Sequence, residues 1–235
     1  MKLGIMQPYF FPSIGYFALI KNVDHFILFD TPQHIRHGWV DRNRILNHKG
    51  DPIYIKIPLA KHSRNTAIND LAIRNDEKWK ERILAQLVTY KKSAPYYWKV
   101  IILLNEIFEF NSSSLVEINY NSLKKVCDYL NISTSISIWS KMNIEIEQIK
   151  APDEWALNIC KVLNYTTYYN AIGGRSFFNP AKYEKAGIAI KFLEINHEKY
   201  EQNSIEFILN LSIIDVLMFN SPKKIYEMLN NYNLI

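Results

Sequence analysis

The chain has 235 residues, 48% of them hydrophobic and 22% charged, which is typical of a globular protein and not of a disordered or fibrous one. Two cysteines, Cys127 and Cys160, are too few for a disulfide framework and show no metal-binding spacing, which favours a reducing, cytoplasmic location. The net charge of +5 suits an anionic ligand, and no apolar run reaches the ~20 residues that a membrane span needs.

The first elements predict a βαβ unit. Residues 2–6 are typical of a buried strand, and Ser13 is a suitable N-cap for a helix over 14–22. Residues 25–29 are almost wholly apolar, as in a strand that is buried on both faces of a sheet. A strand, a short helix and a second strand at this spacing favour parallel pairing.

A polar stretch from Asp30 to Asp51 separates this unit from further strands. Residues 52–59 alternate like a strand, and 68–73 are predicted to form a short one. The region 76–131 is predicted to be helical, with helices over 76–92, from Pro95 to Phe108, and from a cap at Ser112 or Ser113 to about Leu130. We interpret it as an insert on one side of the sheet.

The C-terminal part returns to alternating strands and helices. Strands are predicted from Ile132, over 166–171 and over 188–194, the last strand of the chain, and helices begin at Pro152 and Pro180 and close the chain. We therefore predict a single α/β domain over residues 1–235, with an open, mostly parallel, Rossmann-like sheet flanked by helices and a helical insert over 76–131.

Four loops follow predicted strands, and ligands bind beyond the carboxyl ends of parallel strands. Arginine grips phosphate or carboxylate in a bidentate manner, paired glycines admit an oxyanion, and prolines fix aromatic rings without an ordering cost. His37 and His62 are the candidates for a catalytic base, because histidine titrates near neutral pH. The candidate substrate-binding residues are Gln7, Tyr9, Phe10, Asp30, Gln33, Trp39, Arg42, Asn43, Arg44, Arg64, Asn170, Gly173, Gly174 and Arg175.

Structural alternatives stay open for several of these residues. Arg42 and Arg44 could be solvated or paired with nearby aspartates, which is common for surface charges. The rings of Tyr9, Phe10 and Phe11 could equally belong to the core. His34 and His37 are three residues apart, but no acidic residue or cysteine completes a metal set, so no metal is expected. The chain also lacks a Walker loop, a Gly-x-Gly-x-x-Gly motif and a Gly-x-Ser-x-Gly elbow.

Several motifs carry a family resemblance. "MQPYFFPSIGYFALIKNVDHFILFD" followed by "QHIRHGWVDRNRI", and the later "YYNAIGGRSFF" and "LSIIDVLMFN", resemble the WbqC-like family over nearly the whole chain. The resemblance implies a role in O-antigen or other surface-polysaccharide biosynthesis. The family motif falls on Gln7, Pro8, Pro12, Gly15, Asp24, Asp30, Gln33, Trp39, Arg42, Asn43 and Arg44.

The resemblance implies a transferase that acylates the amine of a nucleotide-linked amino sugar, with glycine as one candidate acyl group. Such an enzyme needs no tightly bound cofactor, but it needs an activated donor: a carrier-protein or coenzyme A thioester, an aminoacyl-tRNA or an ATP-derived adenylate. DNA is not expected as a partner.

Two alternatives belong to other functional classes. One is a non-catalytic binding or assembly protein of the polysaccharide pathway, although its interface would need fewer convergent arginines and amides. The other is a nucleotidyltransferase-like enzyme, although "FPSIGY" lacks the histidines of the His-x-Gly-His signature.

Overall fold

A computed structural model describes residues 1–75 and 78–235 of the chain. The strands, in chain order, are β1 (Lys2–Met6), β2 (His25–Leu28), β3 (Arg42–Leu46), β4 (Pro52–Lys56), β5 (Ser135–Ile138), β6 (Thr167–Ala171), β7 (Ala189–Ile195) and β8 (Tyr232–Leu234). The helices are α1 (Ile14–Lys21), α2 (Trp79–Leu87), α3 (Tyr97–Glu109), α4 (Leu115–Tyr129), α5 (Glu154–Val162), α6 (Pro180–Lys185), α7 (Ile213–Phe219) and α8 (Pro222–Met228).

The main sheet has the strand order β5-β2-β1-β6-β7-β8. Every neighbouring pair is parallel except β7 and β8, which are antiparallel. Successive connections move outward from β1 on one side and from β6 on the other, so the topological switch point lies between these two strands. The predicted α/β class and the mostly parallel, open sheet are confirmed.

The two faces of the sheet carry separate cores, because side chains alternate along each strand. Leu3, Ile5 and Ile27 pack against residues of α5 and α6 on one face. Phe26 and Leu28 pack on the other face, in a larger core that also holds residues of α1 to α4, α7 and α8. The helices on both faces leave the carboxyl ends of the strands open between them.

Some predicted elements differ in the structure. Strands β3 and β4 form a hairpin that is separate from the main sheet. Their pairing is antiparallel, because only a short turn joins them and a parallel pair needs a long crossover. Residues 68–70 form a 3₁₀ turn instead of part of a strand, since only isolated bridges form nearby. The edge strand β8 was not predicted. Its three residues follow α8 directly and lack a strong strand pattern.

The helical region runs from α2 to α4. Its predicted start at residues 76 and 77 lies outside the described residues. The cap of α4 is Ser114, whose side chain accepts a hydrogen bond from the Glu117 N–H, and not Ser112 or Ser113. In the part of the chain that is described, no helix has both the length and the apolar character to cross a membrane.

Both cysteines lie in packed helical faces, on α4 and α5, and burial raises the pKa of each thiol to about 12. We predict that neither reacts with iodoacetamide in the native protein at pH 8, since the thiolate is the reactive form. Both should react after unfolding in guanidinium, as mass spectrometry of the alkylated chain can show. Rapid alkylation of the native protein at either thiol would contradict their assignment as packing groups.

Candidate functional site

The loop after β1, residues 7–13, lies at the switch point and is held by buried amides. The Asn119 side chain on α4 donates to the carbonyl of Pro8 at 2.7 Å and to that of Val40 at 2.8 Å. The Asn43 side chain on β3 donates to the carbonyls of Phe10 at 3.1 Å and Phe11 at 2.8 Å. These contacts fix the path of the loop in the absence of a ligand.

Helix α7 supplies a second set of hydrogen bonds to the same loop. The Ser212 hydroxyl donates to the Phe11 carbonyl at 2.9 Å, and the Ile213 N–H donates to the Pro12 carbonyl at 2.9 Å. The Ser212 N–H donates to the Arg44 carbonyl at 2.8 Å, so one residue joins the loop, β3 and α7. The motif "LSIIDVLMFN" therefore contributes to the site by holding other segments in place.

Asp215 continues this framework inside the protein. The hydroxyls of Tyr90 and Tyr200 each donate to its carboxylate at 2.7 Å, and the Leu46 N–H donates to the Tyr90 oxygen. Burial raises the pKa of Asp215 from 3.8 to about 6, although the two hydroxyls act in the opposite direction. The network ties α7 to the end of β3.

The rings of the loop after β1 divide between the core and the surface. Phe10 and Phe11 are fully buried beside Trp79 and Phe108, so Phe10, a predicted substrate-binding residue, packs in the core and lines neither cavity. Phe11 has φ +39°, a conformation that costs energy for a bulky residue and that the surrounding hydrogen bonds maintain. Gln7 and Tyr9 remain at the open end of the sheet, where they line cavities.

The first of these cavities, here the α1 cavity, has a volume of about 510 Å³ and lies between α1, β3 and the ends of β6 and β7. Its residues are Met6, Tyr9, Pro12, Ser13, Gly15, Tyr16, Leu19, Trp39, Asn43, Arg44, Ala171, Ile172, Gly173, Leu193, Glu194, Ile195, His197 and Asn210. Charged and polar groups therefore meet here at the switch point, where the sheet topology places ligands.

Arg44 is the cation of the α1 cavity. Its guanidinium lies 5.7 Å from the centre of the Trp39 ring, and no described carboxylate lies within ion-pair distance of it. Its Nε is buried without a hydrogen-bond partner, and one terminal nitrogen makes only a long contact of 3.4 Å with the Leu209 carbonyl. A buried, unpaired donor of this kind favours an anionic ligand.

The start of α1 adds further donors to the same cavity. The Ser13 side chain makes no capping hydrogen bond, and the first turn contains no acidic residue. The Tyr16 N–H donates to the Ser13 carbonyl, but the N–H groups of Ile14 and Gly15 and the positive end of the helix dipole are available to an anion. Arg44 and the start of α1 both line the α1 cavity, so both can contact one ligand.

The second cavity, here the α5 cavity, lies on the other side of Met6 and Tyr9 and has a volume of about 520 Å³. It is lined by Ile5, Met6, Gln7, Tyr9, Phe29, Thr31, Pro32, Pro152, Trp155, Ala156, Tyr168, Asn170, Gly174, Phe177 and Phe178. Rings and prolines dominate this list, in contrast to the charged α1 cavity.

Among the arginines predicted to bind substrate, only Arg44 lines a cavity. Arg42 is in a strand, where its guanidinium donates to the carbonyls of His37 and Gly38 and lies 4.2 Å from the centre of the Tyr54 ring. Arg64 and Arg175 are exposed and line neither cavity. The strand before Arg64 belongs to the separate hairpin, so the loop that carries Arg64 does not extend from the main sheet.

Two further predicted residues have structural roles. Asp30 is buried and accepts hydrogen bonds from the N–H and the hydroxyl of Ser140, which join β2 to the segment after β5. The exposed Gln33 donates to the Arg64 carbonyl at 2.8 Å. Neither residue lines a cavity. The strand-end rule indicates one end of the sheet, but it cannot tell inward from outward side chains.

The two histidines predicted as bases also lie away from both cavities. His37 is exposed with φ +68°, and its carbonyl accepts a hydrogen bond from Arg42. His62 is exposed, and its ring lies 5.4 Å from that of His34. Within the described residues, no group of three or more histidine, cysteine or acidic side chains could hold a metal ion.

His197 and Glu194 line the α1 cavity and were missed by the sequence reasoning. Partial burial lowers the pKa of His197, so its neutral form predominates at pH 7. Glu194 is at the end of β7, and His197 is in the loop that follows it. Because β7 is parallel to β6, the carboxyl ends of both strands lie at the same edge of the sheet. The rule that identified the other loops would have found them, had it been applied to this strand.

Comparison with known proteins agrees with the motifs. The profile of the WbqC-like protein family matches residues 7–227. The chain belongs to the WbqC-like family. A curated relative in Mycobacterium tuberculosis (strain ATCC 25618 / H37Rv), the uncharacterized protein Rv1507c, is 28% identical over 225 residues, which cover 93% of each chain. No solved structure matches this member of the WbqC-like family.

The match to the WbqC-like family includes both parts of the framework described above. It spans the loop after β1, the β3–β4 hairpin and α7, which are far apart in the chain and hydrogen-bonded in the structure.

Proposed function

We propose that this protein is a transferase of surface-polysaccharide biosynthesis that acylates the amine of a nucleotide-linked amino sugar, with glycine as one candidate acyl group. The observation that supports it best is the unpaired Arg44 in the α1 cavity, beside the open first turn of α1. Together these donors suit the diphosphate of a nucleotide sugar, which is anionic and needs several N–H groups.

The remaining groups of the α1 cavity suit an amine. The Glu194 carboxylate can hold the sugar ammonium, and the neutral His197 can accept its proton. We propose His197 as the base, in place of His37 and His62. Asn43 and Asn210 also line the cavity, although the Asn43 amide donates to the carbonyls of Phe10 and Phe11.

In the proposed step, His197 first passes the ammonium proton to solvent and returns to its neutral form, and the free amine then attacks the carbonyl carbon of an acyl thioester. A carbon–nitrogen bond forms, the carbon–sulfur bond breaks, and the proton lost by nitrogen passes to His197 and then to the leaving thiolate. With an aminoacyl-tRNA as donor, a carbon–oxygen bond breaks and the ribose hydroxyl takes the proton. A cytoplasmic location, where all these donors occur, is part of the proposal.

The direct test is mass spectrometry of UDP-linked amino sugars incubated with the protein and glycyl-tRNA, acetyl coenzyme A or an acyl carrier protein thioester. A product heavier by the acyl group supports the proposal and identifies the donor. His197→Asn should then slow transfer without weakening substrate binding. Binding of the sugar nucleotide without any product would instead favour the non-catalytic binding protein, and release of pyrophosphate a nucleotidyltransferase.

Arg44 provides a separate prediction on binding. Arg44→Ala should weaken the affinity for a UDP-linked amino sugar about tenfold or more, as expected for lost charge-assisted hydrogen bonds of ~1.5–3 kcal/mol. Titration calorimetry measures this affinity. Arg36→Ala is the matched control, because Arg36 is exposed and lines neither cavity. Equal affinities of the two variants would contradict the role given to Arg44.

A further inference from the structure

The α5 cavity differs in chemistry from the α1 cavity, although the two share Met6 and Tyr9. We infer that the α5 cavity binds the planar base of a nucleoside. The inference rests on the proposed function only in assigning this base to the same substrate whose diphosphate occupies the α1 cavity.

The rings of the α5 cavity provide surfaces for stacking. Trp155 on α5 packs against Phe29 with ring centres 5.1 Å apart, and both rings are only partly buried. Phe177 also lines the cavity, is 55% exposed and contacts Phe178 edge-on. Aromatic side chains stack on any base, since every base has a π-face. The volume of about 520 Å³ is ample for a base and its ribose.

The lack of charged residues makes the α5 cavity unsuitable for the phosphates of a nucleotide. Among the residues described, no Lys, Arg, Asp or Glu lines the α5 cavity. A phosphate would lose its hydration there without gaining a cation, whereas a neutral base loses little. The charged groups stand on the far side of Met6 and Tyr9, in the α1 cavity. A nucleotide placed across Tyr9 would put its base and its phosphates each in a suitable environment.

Two amides can read the edge of the base. In the described part of the chain, the side-chain amide of Gln7 has no hydrogen-bond partner, although the Gln7 carbonyl is held by the Tyr16 hydroxyl. The Asn170 amide donates to the Tyr168 hydroxyl, which fixes its orientation and leaves its oxygen facing Gly174. Amide groups at the rim of an aromatic cavity match the donors and acceptors of a base edge.

Gly174 shows that this arrangement is close-packed. A Cβ on Gly174 would lie 2.6 Å from the Asn170 side-chain oxygen and 3.4 Å from the Phe178 ring. Even an alanine would therefore displace the Asn170 amide, while its Cβ would be in ordinary contact with the Phe178 ring. The Gly174→Ala variant keeps every aromatic side chain while disturbing the proposed base site.

Titration calorimetry with UMP, CMP, AMP, GMP and ribose 5-phosphate tests the inference. At least one nucleotide should bind at least tenfold more tightly than ribose 5-phosphate, which lacks a base. Trp155→Ala and Gly174→Ala should each remove most of that difference, with folding checked by thermal melting. Trp98→Ala is the control, because Trp98 is 62% exposed on α3 and lines neither cavity.

Two results would overturn the inference. One is that no nucleotide binds better than ribose 5-phosphate. The other is that folded Trp155→Ala and Gly174→Ala variants keep the full preference for a nucleotide. Either result leaves the proposed function intact if Arg44→Ala still weakens binding of a sugar nucleotide. Conversely, binding of a base that depends on Trp155, without acyl transfer to any amino sugar, would support the base site and reject the transferase.

Discussion

The Asp215→Asn variant should gain stability relative to the natural chain as the pH rises from 4 to 7, by about 3 kcal/mol in the free energy of unfolding. Asp215 is buried, and burial raises its pKa from 3.8 to about 6. Between these values the folded chain binds a proton that the unfolded chain has released. The stabilisation of the natural chain by this bound proton is therefore fully present below pH 4. It falls by ~1.4 kcal/mol per pH unit as the pH rises towards 6, and it is lost above that pH. Urea denaturation at several pH values measures the difference.

The comparison of the two chains isolates this one group. The histidines with lowered pKa, His25 and His197, are present in both chains and cancel. Asp128→Asn is the control, since Asp128 forms an exposed ion pair with Lys124 and such a pair is worth about 0.5 kcal/mol or less. A stability difference between Asp215→Asn and the natural chain that does not change with pH would show that the carboxylate keeps its ordinary pKa despite burial.

The Asn119→Ala variant should lose about 2–4 kcal/mol of stability. The Asn119 side chain is fully buried and holds the carbonyls of Pro8 and Val40. Its removal leaves two buried acceptors without donors, each at a cost of ~1–3 kcal/mol. Denaturant unfolding measures the loss, and hydrogen exchange should show faster opening of the loop after β1.

Asn121→Ala is the matched control for Asn119. Asn121 is also on α4, but it is partly buried and donates to one carbonyl, that of Ile107, at 3.2 Å. Its removal should cost about 1 kcal/mol or less. If the two variants were equally stable, the hydrogen bonds of Asn119 would not be what fixes the loop.

The main sheet could be predicted because its strands follow strong local patterns. The buried run at 25–28 and the β1–α1–β2 spacing specify parallel pairing, which the structure confirms. The hairpin of β3 and β4 could not be placed in this way. Arg42, Asn43 and Arg44 look like loop residues, and their strand is stabilised by pairing with β4 and by contacts with α7. Tertiary contacts thus overcame a weak local preference.

The candidate site was only partly predictable for a related reason. The strand-end rule indicates an edge of the sheet, and Gln7, Tyr9, Asn170 and both glycines of the loop after β6 do line cavities there. The rule does not indicate which of these side chains are needed to hold the backbone of the loops in place. Asn43 lines a cavity, yet its side-chain amide donates to the carbonyls of the loop after β1. Only the structure distinguishes this structural role from a role in binding a ligand.

The dependence of the loop after β1 on Ser212 has a consequence for synthesis on the ribosome. The loop is synthesised before its partners at the start of α7, which are more than 190 residues later in the chain. A nascent chain that lacks them can pair β1 with β2, but it cannot form the hydrogen bonds from Ser212 to the Phe11 carbonyl and from Ile213 to the Pro12 carbonyl.

The strained conformation of Phe11 therefore gains its full support only after the start of α7 has been synthesised. Until then its ring, which is buried in the finished protein, lacks part of its support and is exposed to wrong contacts. A premature stop before residue 212 would thus produce a chain that retains much of the sheet but has an unformed loop at its switch point, which makes it a substrate for chaperones and proteases.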